Sequence, residues 1–387
     1  MRILLSNKFY YRRGGDCVCT LNTEQLLKEK GHEVAVFAMD YPENLETTWK
    51  KYFPQNMSKL MAFTRPFGSQ EVKRKFVRLL DDFRPDVVHL NNIHTQLSPV
   101  IAELAHKRGI RVVWTLHDYK LLCPRYDCLR GGEEVCEKCF EGDKTPCRAY
   151  KCMKGSTLAS LVGYEEAEKW NRERLEGCTD VFICPSTFMS QKMVQGGFDS
   201  GKLRVLCNFM DVDKCCRDDY YKDEYYCFVG RLSHEKGVRT LVEAANQLPF
   251  PVKIIGGGPL TEELKAVAHD NVEFVGFKSW DEIKELVGRA RFAVIPSEWY
   301  ENNPMSVIEA ECLGTPVLGA RIGGIPELID EGVNGMTFES RNAADLRGKI
   351  SQMYDATFDY ESIAATAMSR YGAERYYDRL MEIYKMS

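Results

Sequence analysis

Short runs rich in valine and isoleucine alternate with charged-faced helical patterns along almost the whole chain, and the series is run through twice. Residues 3–6, 33–38, 86–91, 111–116, 181–184 and 204–207 form the first set of apolar runs; 225–229, 252–255, 272–275, 292–296, 316–319 and 336–339 form the second. Strands with no polar face, separated by helices, must lie in a parallel sheet covered on both sides. The expected fold class is therefore α/β, with two Rossmann-like, doubly wound domains. A chain of 387 residues also exceeds what one core usually organises. The change of series falls in the polar stretch 208–219, with Asp211, Asp213, Asp218 and Asp219, which places a boundary near residue 210 and gives domains of 1–210 and 211–371. A last helix, 372–387, carries Tyr376, Tyr377, Leu380, Ile383 and Tyr384 at helical spacing and needs an apolar surface to cover.

Composition excludes several classes of function. A formal net charge of −4 supplies no field to gather nucleic acid, so no nucleic-acid partner is expected. Three apolar residues before Ser6-Asn7-Lys8 are too few for a signal-peptide core, and no later stretch approaches a membrane span, which points to a cytoplasmic protein. In that compartment fifteen cysteines read as free thiols or metal ligands rather than disulfides. Residues 70–83 place Val72, Phe76, Leu79, Leu80 and Phe83 on one side and Lys73, Arg74, Lys75 and Arg78 largely on another. Such a helix either rests on an anionic membrane, making the protein peripheral at its inner face, or packs on the sheet; the strand that follows at once favours packing.

In a doubly wound sheet, ligands bind beyond the carboxyl ends of the strands. Four loops there carry chemistry. Gly14-Gly15 opens a helix after the first strand, where backbone N–H groups could meet an anion; alone, such a pair also reads as a simple turn. Gly230-Arg231-Leu232-Ser233-His234-Glu235-Lys236-Gly237 sets two cations five residues apart in a glycine-bounded loop, able to clamp a diphosphate or else to sit in solvent. Ser297-Glu298-Trp299-Tyr300-Glu301-Asn302-Asn303-Pro304-Met305-Ser306 opens a helix that carries Glu309, with Asn303 as N-cap and Pro304 as first helical residue. Eight residues at about 1.5 Å each separate the two glutamates by about 12 Å if helical, too far for a glycosidase acid/base pair. Separate carboxylates binding sugar and ribose hydroxyls fit better. The fourth loop has Cys123, Cys128, Cys136, Cys139, Cys147 and Cys152 within thirty residues, a density that fits a structural zinc or, equally, unligated small hydrophobes. Cys184, Cys207, Cys227 and Cys312 read as core.

Taken in order, the Gly230–Gly237 loop, Gly256-Gly257-Gly258-Pro259, Glu301 with Glu309, Gly314-Thr315-Pro316-Val317-Leu318 and Gly323-Gly324-Ile325-Pro326-Glu327 resemble the signature of the retaining glycosyltransferase family 4, of the GT-B type. The resemblance implies that the two domains face across a cleft and that the last helix crosses back to the first. It implies donor-binding roles for Gly14, Gly15, Gly257, Val275, Asn302, Asn303, Met305, Ser306 and Glu309, with the base near 275–277 and the ribose on Glu309. Arg231 and Lys236 would hold the diphosphate, Glu301 the transferred sugar, and His117 would lie beside that sugar. Where many relatives have Gly-Phe-Gly, this chain has Asn302-Asn303-Pro304, so its backbone donors to the sugar differ.

The expected reaction is retaining transfer of a hexose-type sugar from a nucleoside-diphosphate sugar, UDP ahead of GDP, to a glycan or lipid-linked acceptor. No cofactor is expected for catalysis, because cations and helix dipoles would take the part of a divalent metal and no Asp-x-Asp motif occurs in the donor loops. A branch of the family with a similar cysteine loop implies Cys123, Cys136, Cys139 and Cys152 as zinc ligands. A nucleotide-sugar epimerase, a phosphorylase or an idle nucleotide-binding protein remain alternatives on the same architecture.

Overall fold

The computed structural model describes residues 1–55 and 59–386; Ser387, included in the expected last helix, lies outside the described residues. The chain divides into two compact units. The first comprises Met1–Gly131, Cys136–Cys207 and the chain from Tyr376 on; the second comprises Asn208–Arg375 with the short piece Gly132–Val135.

The first unit is built on strands β1 (Arg2–Ser6), β2 (Glu33–Phe37), β3 (Val87–Leu90), β4 (Arg111–Thr115), β5 (Val181–Cys184) and β6 (Leu203–Val205), all parallel, in the order β2-β1-β3-β4-β5-β6. The second uses β7 (Tyr226–Val229), β8 (Val252–Ile255), β9 (Val272–Gly276), β10 (Ala293–Ile295), β11 (Val317–Ala320) and β12 (Gly335–Phe338), again parallel, in the order β9-β8-β7-β10-β11-β12. Both are doubly wound α/β sheets. The direction of winding reverses between β1 and β3 in one and between β7 and β10 in the other, and these reversals are where such sheets open to ligands.

Helices cover the sheets through their apolar faces. The helix Gln70–Phe83 buries Val72, Phe76, Leu79, Leu80 and Phe83, so the packed alternative holds for that face. Ser69 caps it by accepting a hydrogen bond from the Val72 N–H. The last helix, Ala373–Lys385, buries Leu380, Met381, Ile383 and Tyr384 against Ile3, Leu5, Val36 and Val113 of the first sheet. Inside that core the Tyr384 hydroxyl and His89 Nδ1 lie 2.6 Å apart, and His89 Nε2 is 2.7 Å from the Thr115 hydroxyl. Burial holds the His89 imidazole near 3, so it is neutral and each nitrogen is used once. Among the described residues, no helix is long and apolar enough to cross a membrane.

Three local expectations need correction. The helix carrying Glu309 begins at Met305, one residue late, because Pro304 stays extended at φ −68°, ψ 120° and acts as N-cap itself. The expected run 204–207 is a strand over Leu203–Val205, so Cys207 falls beyond it and is only half-buried, whereas Cys184, Cys227 and Cys312 are core. The fourth, cysteine-bearing loop is not loop throughout: Thr145–Ala149 is a short helix with Pro146 in its first turn.

Candidate functional site

In the second unit, the two loops at the winding reversal are locked together by one ion pair. After β7 the chain makes a single 3₁₀ turn, His234–Lys236, and Gly237 takes φ +65° to start the next helix. A Cβ at Gly237 would run into the Pro296 carbonyl, so only glycine lets this loop lie against the end of β10. That approach brings Lys236 Nζ to 2.6 Å from Glu301 Oε1, and the Ser297 hydroxyl donates to the same oxygen at 2.9 Å. Lys236 also sits over the Trp299 ring, 5.2 Å from its centroid. Glu301 is buried at 7% exposure. Burial disfavours its charge, but Lys236 and hydrogen bonds from Lys236, Trp299 and Ser297 outweigh that, and the carboxyl lies below its usual range.

Gly323 explains another part of the sequence pattern. It adopts φ +60°, a Cβ there would meet the Glu301 backbone, and the Gly324 N–H donates to the Glu301 carbonyl at 2.7 Å. The Gly-Gly-Ile-Pro-Glu segment is thus a backbone cradle that fixes where the Glu301 carboxylate points. Arg231 is exposed and forms no ion pair among the described residues. Met305 and Ser306 open the helix, and Glu309 follows on it with no hydrogen-bond donor among the described residues; burial alone pushes its carboxyl up to about 7. Asn303 holds the backbone together instead of facing outward, because its Oδ1 accepts from the Asn208 N–H at 2.9 Å and its carbonyl from the Asn208 carboxamide at 3.0 Å. Asn302 is half-buried beside it. Val275 lies near the end of β9, followed by Gly276 and by Phe277, which is 84% exposed yet lies against Gly257.

The first unit carries its own constellation at the β1/β3 reversal. Gly14, extended and exposed, caps the helix Gly15–Glu29, and the space beside Gly15 is open. Asp16 accepts from the Asn92 carboxamide at 2.8 Å, and the Asn92 N–H donates to Asn7 Oδ1 at 3.1 Å. His117 Nε2 donates to Asn91 Oδ1 at 2.8 Å, and burial lowers its pKa although Asp16 pulls it up, leaving Nδ1 free of a proton. Asp118 is raised to about 6 by burial, with Lys8 and Lys120 opposing, and its Oδ1 lies 4.0 Å from His94 Nε2. Sequence reasoning does not single out Lys8, Asp16, Asn91, Asn92, His94 or Asp118. The polar Asn7 and Asn91-Asn92 directly after two apolar strands are the signal that could find them.

All six cysteines of the fourth loop, including Cys123, Cys136, Cys139 and Cys152, line one cavity of about 20 Å³. A hydrogen bond from Cys128 brings the Cys123 thiol down to about 7, while burial raises Cys139 and Cys147 to about 12. The loop is tied in place by buried cations: Lys144 donates to the Leu122 and Cys139 carbonyls at 2.8 and 2.6 Å, and Lys120 pairs with Glu166 at 2.8 Å. Among the described residues, no three His, Cys, Asp or Glu side chains already stand in positions to hold a metal ion.

Two family models cover these two units. Residues 14–214 match Glycosyltransferase Family 4, and residues 218–375 match Glycosyl transferases group 1. The chain belongs to glycosyltransferase family 4, and it is a glycosyltransferase of the GT-B class. It is 33% identical over 349 residues to an uncharacterized glycosyltransferase of Methanocaldococcus jannaschii, covering 85% of this chain and 82% of the relative. It is 26% identical over 252 residues to the amylovoran biosynthesis glycosyltransferase AmsK of Erwinia amylovora, covering 59% of this chain and 62% of that one. Among solved structures, HepE of Anabaena in complex with UDP shares the fold with a TM-score of 0.69 at 18% identity, over 99% of both chains. That protein is also known in complex with UDP-glucose.

Proposed function

We propose that the protein moves a hexose-type sugar, with retention, from a UDP-sugar to a glycan or lipid-linked acceptor in polysaccharide assembly, without a catalytic metal. The observation that carries this reading is the buried Glu301 carboxylate, ionised and fixed by Lys236, Ser297 and the Gly323-Gly324 cradle. An anionic acceptor, held rigidly at the winding reversal, suits the hydroxyls of a transferred sugar. Lys236 then has a second partner to hand. As the bond from the anomeric carbon to the diphosphate breaks, its electron pair goes to the leaving phosphate oxygen, and Lys236 and Arg231 neutralise that charge. The acceptor hydroxyl forms its bond on the same face and passes its proton to the departing phosphate. Glu309, on the helix that begins at Met305, would accept the ribose hydroxyls, with the base near Val275 and Gly257. UDP is favoured by the nucleotide bound in the Anabaena protein of the same fold.

Incubation with UDP-glucose and with GDP-mannose, followed by proton NMR of the sugar first released, tests the reading. Release of α-glucose from UDP-glucose is expected; β-glucose would exclude retention, and dependence on inorganic phosphate would favour a phosphorylase.

The cysteine loop supports a second proposal, a structural zinc bound through Cys123, Cys136, Cys139 and Cys152. Six thiols around one ion-sized cavity favour it, with Cys123 already close to ionising near neutral pH. About one equivalent of zinc is expected in protein purified without chelator. Less than a tenth of an equivalent, with six titratable thiols, would reject it.

A further inference from the structure

We infer that the loop from Lys8 to Arg13, together with Tyr41, binds the acceptor, and that this acceptor is a saccharide bearing an anionic group, a carboxylate or a phosphate. The inference rests on the transferase reading above. It starts from how the loop divides its side chains. Tyr10 turns inward, at 7% exposure, and packs edge-on against Phe53 with its hydroxyl donating to Glu24 at 3.1 Å. Its neighbours Phe9 and Tyr11 are only half-buried and gather with Tyr41 into a cluster, with centroids 5.5 Å apart for Phe9 and Tyr11, 5.2 Å for Phe9 and Tyr41, and 6.3 Å for Tyr11 and Tyr41. One anchoring ring would suffice to hold a loop. Three more at the ends of β1 and β2, where the sheet opens to ligands, form a platform of the kind on which the C–H faces of a sugar ring rest.

The cations of the same loop are independent evidence. Lys8, Arg12 and Arg13 form no ion pair among the described residues, in a protein whose less exposed cations Lys120, Lys144 and Lys236 are each given acceptors. The Arg13 guanidinium lies 4.3 Å from the Phe9 centroid and Lys8 Nζ 5.3 Å from the same centroid, so the platform and the charges are one surface. Lys8 acts on both Asp16 and Asp118, which joins this surface to the His117 constellation. The opposing carboxylate at Tyr41 is Glu43, against Arg13 and Arg65. An arginine fork with no carboxylate of its own matches carboxylate or phosphate oxygens, and rings beside it give the sugar a place. The donor diphosphate has Arg231 and Lys236, so these further cations have a different partner.

The full-length protein saturated with UDP is titrated, by ligand-observed NMR, with methyl β-glucoside, methyl β-glucuronide and glucose 1-phosphate. At least one anionic probe should bind about tenfold or more tightly than the neutral glycoside, and the advantage should shrink with added salt. The double variant Arg12→Gln, Arg13→Gln should cut that advantage to about threefold or less, while Tyr11→Ala weakens all three probes alike. Thermal unfolding confirms that each variant folds, and UDP affinity should stay within about twofold of the parent. Binding by the glucuronide alone assigns a uronate, and by the phosphate alone a sugar phosphate. Equal binding of all three probes, or no binding, overturns the inference, as does loss of UDP affinity in the arginine variant, which would give these cations to the donor. Failure of the parent protein to bind UDP would instead remove the UDP-sugar donor of the reading beneath it.

Discussion

The winding reversal of the second unit and that of the first solve the same topological problem with opposite electrostatics. In the second, Lys236 and Glu301 neutralise each other, and Gly237 and Gly323 press their loops against neighbouring backbone. In the first, Gly14 and Gly15 are exposed and unstrained, and Lys8, Arg12 and Arg13 form no ion pair among the described residues. A buried charge survives only with a partner, so a site that must present an ionised carboxylate has to be rigid. A site whose charges stay in solvent needs no such rigidity and can vary its loop at little cost to the fold.

The largest effect should come from Lys236→Ala, which leaves Glu301 buried without its cation. Transfer should fall about a hundredfold or more, and stability at pH 7 by about 2–3 kcal/mol. Glu301 sits below its usual value, so its contribution to stability is present at neutral pH and is lost as pH falls through the folded value; the deficit of the variant should therefore narrow toward pH 4 in denaturant titrations. An unchanged unfolding midpoint would mean that the pair is not what locks the loops. Next comes Glu301→Gln, which keeps the cradle and the size but not the charge: transfer should drop at least about tenfold while UDP binds nearly normally. Equal loss of UDP affinity would move Glu301 from the sugar to the nucleotide.

A smaller effect separates Glu309 from Glu301. Burial raises the Glu309 carboxyl to about 7, so the folded chain keeps a proton that the unfolded chain releases from about pH 4.3 upward, and burying Glu309 costs more stability as pH rises through that window. A ribose that requires the carboxylate should bind better as pH rises: affinity for UDP-glucose should increase up to about tenfold from pH 6 to 8, and Glu309→Gln should flatten the profile. A flat profile in the parent would detach Glu309 from the nucleotide. The smallest effect is expected from Arg12→Gln, whose thermal midpoint should stay within about 1 °C of the parent; a larger fall would show that the first unit's loop is as tightly coupled to its fold as the second's.

Much of the fold is legible in the sequence, for a physical reason. Strands 181–184 and 252–255 and the helix Gln70–Phe83 have the expected bounds because each is set by local periodicity and a local stop, such as Ser69 at the helix N-terminus. The approach of Lys236 to Glu301, 65 residues apart, depends on β7 lying beside β10, which periodicity does not encode. Asn303 shows the same limit from the other side: its type and place suit a sugar ligand, but the distant Asn208 backbone claims its side chain. Asp16, Asn92 and Asp118 are not legible in this way, because each is unremarkable alone and gains meaning only where three loops meet.

The bond between His89 and Tyr384 joins positions 295 residues apart, inside the core of the first unit. A ribosome delivers β3 early and that tyrosine only after the entire second unit has been made. The amino-terminal half therefore cannot finish folding when its own strands emerge; it waits, with Ile3, Leu5 and Val113 uncovered, for a helix made more than two hundred residues later. The second unit is under no such delay, and order of synthesis and order of completion run in opposite directions along this chain.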